Sequence, residues 1–117
     1  MRLIKIDPTT QTIEHVETSA SLIDLYQIID CRCIDFCARQ DNGDALIVDD
    51  EALYAEPQLP AFSYGSYGQP IHGVAILAGS DDEGETIEPH TTLEQVRDQV
   101  RWLGNIHTQP FFTILSF

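Results

Sequence analysis

Residues 31–54, with the sequence CRCIDFCARQDNGDALIVDDEALY, contain the strongest structural pattern in the chain. Two apolar runs, 31–40 and 44–49, flank the dipeptide Asn42-Gly43. This dipeptide favours a two-residue hairpin turn, because Asn and Gly both tolerate positive φ angles. Both faces of 31–40 carry apolar residues, which is typical of a strand inside a sheet. We therefore predict a β-hairpin whose first strand is central.

The three cysteines of this hairpin invite a metal or redox interpretation. A two-residue loop would place Cys37 opposite Val48, and alternation would put Cys31, Cys33 and Cys37 on one face. Zinc sites are usually built from C-x2-C pairs, and the chain has a single C-x-C. Free cysteine is commonly buried as a small hydrophobe, so we predict core packing. The alternative is a metal site that consists of two or three of these cysteine thiolates together with a histidine such as His72.

Periodic patterns on either side of the hairpin indicate an α+β fold. Thr91 and Glu94 match a capping box at the start of a helix. Residues 56–70 hold three prolines and two glycines among aromatics, which favours an ordered loop over the sheet. We predict a mainly antiparallel sheet of about five strands (2–7, 11–17, 31–40, 44–49 and 71–78) packed with two helices (19–29 and 92–103).

The chain has 117 residues, the size of one ordinary domain, so we expect residues 1–117 to form a single domain. Residues 106–117 form an apolar tail, ending in FFTILSF, whose placement the sequence leaves open. No apolar run approaches the roughly 20 residues that span a bilayer. The start, MRLIKIDP, lacks a signal-peptide core. We therefore expect a cytoplasmic protein with reduced cysteines.

The charge distribution gives the clearest functional information. The chain has 19 acidic and 6 basic residues, for a net charge of −13. Residues 40–96 hold twelve Asp and Glu but no Lys or Arg. This disfavours direct binding to nucleic acid or to an anionic membrane, and favours a protein partner with a basic surface. The predicted interaction surface consists of Asp49, Asp50, Glu51, Asp81, Asp82, Glu83 and Glu85.

Catalytic and cofactor motifs do not emerge from the sequence. No serine lies in a G-x-S-x-G turn, Gly65–Gly68 lacks the lysine of a phosphate-binding loop, and neither acidic cluster matches an EF-hand. We assign no catalytic residue and no cofactor, and favour a non-enzymatic protein. Phe62, Tyr64, Tyr67 and His72 are the candidates for a pocket.

Two segments resemble a known family. GDALIVDDEALY and YGQPIHGVAILAGSDDEGETIEP are similar to small acidic proteins of phages, prophages and plasmids, described as a domain of unknown function. The resemblance covers about residues 1–90, with Ala52 where the pattern leads us to expect Gly. It implies an accessory protein of mobile elements and assigns no catalytic residue.

These observations favour an acidic interaction protein that binds a basic partner, with imitation of nucleic-acid charge as its mechanism. One alternative is a small ligand- or metal-binding domain. Another is a structural homo-oligomer that pairs through FFTILSF.

Overall fold

Two antiparallel sheets and two helices make up the structure, a computed structural model that describes residues 1–110. In chain order the elements are β1 (Arg2–Asp7), β2 (Thr12–Glu17), α1 (Leu22–Ile29), β3 (Ile34–Cys37), β4 (Ala45–Asp49), β5 (Ala61–Tyr64), β6 (Tyr67–His72), β7 (Ala75–Ser80), β8 (Thr86–Ile87), α2 (Leu93–Gln99) and β9 (Val100–Gly104). A 3-10 turn, Ala52–Tyr54, follows β4.

The larger sheet has the strand order β2-β1-β7-β4-β3, with β8 beside β7, and the smaller sheet has the order β6-β5-β9. Every pair of neighbouring strands is antiparallel. The predicted α+β class is therefore confirmed, and the predicted strands 2–7 and 11–17 correspond to β1 and β2, which pair with each other. The prediction of about five strands is wrong, since residues 1–110 contain nine strands in two sheets.

The central strands of the larger sheet are covered on both faces, which explains why β4 and β7 carry apolar residues on both of their faces. On β1, Leu3 faces α1, while Ile4 and Ile6 face the smaller sheet. Strand β7 alternates in the same way, with Ile76 on the α1 side and Leu77 on the other. Each such side chain contributes about 1.5–3 kcal/mol on full burial.

The β3–β4 hairpin forms, but the prediction of a central first strand is wrong, because β3 lies at the edge of the larger sheet and exposes Asp35 and Phe36. Its register also differs from the one predicted. Cys37 lies opposite Leu46 rather than Val48. The loop has three residues, because the N–H of Gln40 donates to the carbonyl of Asp44 at 2.8 Å. The β3 side of the hairpin carries one additional residue before this loop, and Ala38 there adopts a left-handed φ of +51°. A non-glycine residue in this conformation costs about 1–2 kcal/mol.

The segment predicted as a loop over 56–70 contains strand β5 and most of strand β6. Burial of its aromatic residues stabilises this hairpin, since Phe62 is fully buried and Tyr64 nearly so. The predicted strand 71–78 is divided at Gly73, whose φ is +81° and whose N–H donates to the Pro60 carbonyl at 3.0 Å. The chain passes there from the smaller sheet to the larger one.

Helix α2 starts and ends differently from the prediction. Its N-cap is Thr92, paired with Gln95 in a capping box, rather than Thr91 with Glu94. It ends at Gln99 instead of continuing to residue 103. The last part of the predicted helix is strand β9, which pairs with β5, so tertiary pairing overrides the helical pattern.

Residues 106–110 follow β9 and are held at Thr108. Its N–H donates to Oε1 of Gln58 at 2.8 Å, and its carbonyl accepts from Nε2 of Gln58 at 2.7 Å. The segment FFTILSF, residues 111–117, lies outside the described residues. Neither described helix has the length and apolar character needed to cross a membrane.

Candidate functional site

The first acidic cluster, Asp49, Asp50 and Glu51, follows directly from β4. The N–H of Glu51 donates to Oδ1 of Asp49 at 2.8 Å, so the turn is held by its own carboxylate. Arg32 contacts Glu51 through Nε at 2.7 Å and Nη2 at 3.3 Å. This hydrogen-bonded pair lowers the pKa of Glu51. Arg32 therefore partly neutralises the cluster, and Asp49 and Asp50 carry its remaining charge.

The second acidic cluster, Asp81, Asp82, Glu83 and Glu85, forms the turn between β7 and β8. Oδ1 of Asp81 accepts the N–H groups of Glu83 and Glu85, both at 2.9 Å. One carboxylate thus closes the turn, while the four side chains stay exposed. The turn joins β7 to β8, since Ile87 lies opposite Gly79.

The two acidic clusters lie at opposite ends of the β4–β7 pair. These strands are antiparallel, with Ala45 opposite Ala78. Asp49 ends β4 at one end of the pair, whereas Ser80 ends β7 at the other, near Gly43. Six residues of extended chain between positions 43 and 49 span about 20 Å. The predicted interaction residues therefore form two separate clusters instead of one surface.

The four predicted pocket residues do not line one cavity. Phe62 is fully buried and packs edge-on against Trp102, with ring centroids 6.2 Å apart. Tyr64 and Tyr67 border a cleft beside the end of β3. His72 is 2 % exposed and borders a second cavity together with Tyr67.

His72 has a partner for each ring nitrogen. Nδ1 lies 2.7 Å from the Leu59 carbonyl, which can only accept, so Nδ1 carries a proton. Nε2 lies 2.8 Å from the hydroxyl of Thr108. This histidine therefore holds the segment after β9 against the smaller sheet, a structural use of its side chain.

A small acidic crevice joins the first acidic cluster to part of the predicted pocket. We define the acidic crevice by Asp35, Cys37, Asp49, Asp50, Tyr67 and His72. It lies where the ends of β3 and β4 meet β6, and its volume of about 150 Å³ suits a single side chain. No Lys or Arg lines it. Three acidic residues contribute to its lining: Asp35 on β3, and Asp49 and Asp50 at the end of β4.

The structure separates the cysteines that the sequence placed on one face. Cys31 packs on the α1 side of the larger sheet, Cys37 packs on the opposite side, and Cys33 is exposed before β3 begins. Core packing is therefore wrong for Cys33. Among residues 1–110, no three His, Cys, Asp or Glu side chains are grouped to hold a metal ion.

The thiols of Cys31 and Cys37 are poor nucleophiles. Burial raises the pKa of the Cys37 thiol, offset in part by a hydrogen bond from Tyr67, and nearby Asp35 raises it further. Burial and the charge of Asp49 raise the pKa of Cys31. Both side chains therefore stay protonated at neutral pH, the form that does not bind metal or attack electrophiles.

Sequence reasoning missed the most buried acidic residue. Asp44 is fully buried, and its carboxylate accepts hydrogen bonds from the N–H groups of His90 and Thr91 and from the Thr91 hydroxyl. The position of an Asp next to Asn-Gly suggested only a turn. Its role depends on a contact with a segment 47 residues away, for which the sequence carries no signal.

A protein-family model described as Domain of unknown function (DUF3846) matches residues 1–101. This match extends the resemblance, which the sequence suggested for about residues 1–90, as far as β9. No curated protein and no solved structure matches the chain.

Proposed function

We propose that this chain, which belongs to the family described as Domain of unknown function (DUF3846), is a non-enzymatic protein whose acidic surface binds a basic protein. The observation that supports this most is the charge of residues 40–96, where twelve acidic residues stand without one Lys or Arg. Of these twelve, only Asp44 is buried. The other eleven therefore shape the electrostatic field around the molecule.

The acidic crevice is the anchoring point in this proposal. A Lys or Arg of the partner would enter this crevice, whose lining includes Asp35, Asp49 and Asp50. Two opposite charges 4 Å apart attract by about 4 kcal/mol near a protein surface, against about 1 kcal/mol in bulk water. A partly enclosed position thus favours binding more than an exposed one, before the cost of desolvation.

The turn Asp81–Glu85 has a different role in this proposal. Its side chains are exposed and lie about 20 Å from the acidic crevice along the strands. Exposed charges mainly accelerate the encounter of two proteins and make it sensitive to salt. The turn would attract the partner, and the crevice would hold it.

We also propose that the partner is a nucleic-acid-binding protein and that the acidic surface imitates the charge of its normal ligand. The resemblance to proteins of phages and plasmids supports an accessory role in a mobile element. A basic cleft that evolved to neutralise phosphates would also accept clustered carboxylates.

The test is capture of partners from host lysate by the full chain and by two charge variants. Asp49→Asn with Asp50→Asn changes the crevice, and Asp81→Asn with Asp82→Asn changes the turn. Asparagine keeps the carbonyl oxygen that accepts the N–H bonds within each turn, so both variants should fold. We expect a salt-sensitive partner that dissociates faster from the crevice variant and associates more slowly with the turn variant.

The matched control is Glu14→Gln with Asp98→Asn, which removes the same charge from two exposed positions outside residues 40–96. It should capture the partner like the original chain. Excess double-stranded DNA should compete for the partner. Equal capture by all four proteins, or capture only of partners whose binding is insensitive to salt, would contradict the proposal. Failure of DNA to compete would exclude imitation of nucleic-acid charge.

The two alternatives remain predictions. Elemental analysis of the purified protein tests the metal-binding alternative, because a protein without bound metal would exclude it. Light scattering before and after truncation at Thr108 tests the homo-oligomer, because truncation should then abolish self-association. The tail in that second hypothesis, residues 111–117, is outside the described residues.

A further inference from the structure

We infer that residues 111–117, FFTILSF, bind to their own chain on an apolar patch beside Thr108. We define the apolar patch by three exposed side chains: Tyr54, Leu59 and Ile106. It contains none of the acidic interaction residues, and the inference does not depend on a protein partner. Residues 111–117 are outside the described part of the chain, so the support comes from where that part ends and from the surface around its end.

The described chain ends two residues after an anchored position. The N–H of Thr108 donates to Oε1 of Gln58 at 2.8 Å, and the Thr108 carbonyl accepts from Nε2 of Gln58 at 2.7 Å. The Thr108 hydroxyl contacts Nε2 of His72 at 2.8 Å. His72 is itself buried, with its other ring nitrogen 2.7 Å from the Leu59 carbonyl. The segment that follows Thr108 therefore starts from a defined point on the surface.

Exposed apolar side chains are concentrated near this anchor. Among residues 1–110, seven large apolar side chains are exposed: Met1, Leu22, Ile23, Phe36, Tyr54, Leu59 and Ile106. The last three are far apart in sequence, yet hydrogen bonds bring the backbone at each of them close to Thr108. A surface of this kind gains from a cover, because apolar area removed from water stabilises a protein.

The Gln58 side chain connects the first member of the patch to the anchor. Its Nε2 donates to the Leu53 carbonyl at 2.9 Å and to the Thr108 carbonyl at 2.7 Å. Both carbonyls meet one nitrogen atom, so the backbone at Leu53 lies beside the backbone at Thr108. Tyr54 is the next residue after Leu53.

The His72 ring connects the second member in the same way. Its two nitrogens contact the Leu59 carbonyl and the Thr108 hydroxyl, so these two residues lie on either side of one imidazole. Ile106, the third member, precedes Thr108 by two residues. The three side chains therefore belong to one region of the surface.

This region lies on the outer face of the smaller sheet. Phe62 and Ile71 lie opposite each other and belong to the core between the two sheets. The adjacent residue His72 points to the other face, because side chains alternate along a strand. Neither described helix packs there, since α1 lies beyond the larger sheet and α2 contributes to the core between the sheets. Beyond Thr108, that face is open to a further segment.

Residues 111–117 have the length and the composition to cover the patch. Seven residues of extended chain span at most about 23–25 Å. Gln109 precedes Pro110, and a residue before proline favours extended backbone. None of residues 111–117 is charged, and five are large and apolar: Phe111, Phe112, Ile114, Leu115 and Phe117.

The short connection to Thr108 favours docking within one chain over docking on a second copy. A segment joined to a fixed point by a short linker has a local concentration in the millimolar range at surfaces within its reach. A second copy in solution is usually far more dilute. The net charge of −13 also opposes the close approach of two copies.

The experiment measures nuclear Overhauser contacts in the full chain labelled with carbon-13, and again in an equal mixture of labelled and unlabelled chains. We expect contacts between the rings of Phe111 or Phe112 and the methyl groups of Leu59 and Ile106 in the labelled chain. Between labelled and unlabelled chains we expect none. Contacts only between chains would overturn the inference in favour of the homo-oligomer, and the absence of any contact with the patch would also overturn it.

Two matched double variants of the full chain test the patch itself. Tyr54→Gln with Leu59→Gln changes side chains that are 61 and 53 % exposed, and Leu22→Gln with Ile23→Gln changes side chains of α1 that are 56 and 68 % exposed. Chymotrypsin cleavage within residues 111–117, followed by mass spectrometry, should be at least about tenfold faster in the patch variant than in the original chain. The α1 variant should be cleaved like the original chain. Equal cleavage rates in the two variants would overturn the inference.

Discussion

The carboxylate of Asp44 accepts hydrogen bonds from both the N–H and the hydroxyl of Thr91, at 2.8 and 2.6 Å, although the residues lie 47 positions apart. The N–H of His90 completes the set at 3.0 Å. This buried contact connects the β3–β4 turn to the segment that leads into α2. It also explains why Thr92, and not Thr91, caps the helix.

Asp44→Ala should therefore destabilise the protein by about 3 kcal/mol or more, because it leaves buried donors without an acceptor. Thr91→Ala removes one hydroxyl and should cost about 1 kcal/mol. Urea unfolding at neutral pH measures both changes. Asp41→Asn, at an exposed neighbouring position, is the control and should change stability by less than about 0.5 kcal/mol. A similar stability for Asp44→Ala and Asp41→Asn would contradict this role.

Gly65→Ala should cost about 1–3 kcal/mol, because it combines a left-handed backbone with a collision against Gln99. Gly84→Ala has the same kind of backbone, with a φ of +82°, but open space around it. The difference between the two variants isolates the collision. Combining Gly65→Ala with Gln99→Ala should recover part of the loss in a double-mutant cycle. Thermal unfolding gives the values, and equal losses for the two glycine variants would exclude the close contact.

Gln58→Ala should release the segment around Thr108 without unfolding the sheets. Two hydrogen bonds from one amide hold this residue, at 2.7 and 2.8 Å. We expect the Thr108 amide proton to exchange with solvent at least about tenfold faster, a change of about 1.4 kcal/mol in local opening. Amide hydrogen exchange measures this directly. Gln69→Ala, at an exposed position of β6, should leave that rate unchanged.

The ion pair between Arg32 and Glu51 should be visible as a shifted titration. Hydrogen bonding to Arg32 lowers the folded-state pKa of Glu51, so its contribution to stability is present above the ordinary carboxyl range and is lost as the pH falls through that lowered pKa. Carboxyl-carbon NMR should show Glu51 titrating below its ordinary range. In the Arg32→Gln variant the midpoint of the Glu51 titration should move to higher pH. An unchanged midpoint would show that the ion pair does not form in solution.

The cysteines should differ in reactivity. Cys33 is exposed, whereas burial raises the pKa values of Cys31 and Cys37 and reduces their thiolate fractions at a given pH. Alkylation of the native protein near pH 8 should modify Cys33 first, as followed by peptide mass spectrometry. Cys33→Ser should abolish the fast phase. Rapid modification of Cys37 would contradict its position between the sheets.

Local patterns identified the elements that local forces stabilise. The apolar run of β4 and the short turn of β1–β2 were predicted within a residue or two. The boundary of α2 was missed where a tertiary contact outweighs local preference. Val100 continues an apolar helical pattern, yet its position opposite Tyr64 makes it part of a strand. Helical propensity differs by well under 1 kcal/mol between most residues, less than strand pairing with burial provides.

The candidate site was predicted in composition but not in arrangement. Asp49 and Asp81 belong to similar acidic runs, and only the pairing of β4 with β7 shows that they lie at opposite ends of the sheet. Asp49 and Tyr67 line the same crevice only because the two sheets pack together.

The crossing at Gly73 has a consequence for how the molecule unfolds. The smaller sheet is made of β5, β6 and β9, and the strand β7 that lies between them in sequence belongs to the larger sheet. No single cut of the chain therefore leaves both sheets whole in separate fragments. Because the chain alternates between the two sheets, we expect both sheets to unfold in one cooperative transition. The calorimetric and van't Hoff enthalpies should then agree.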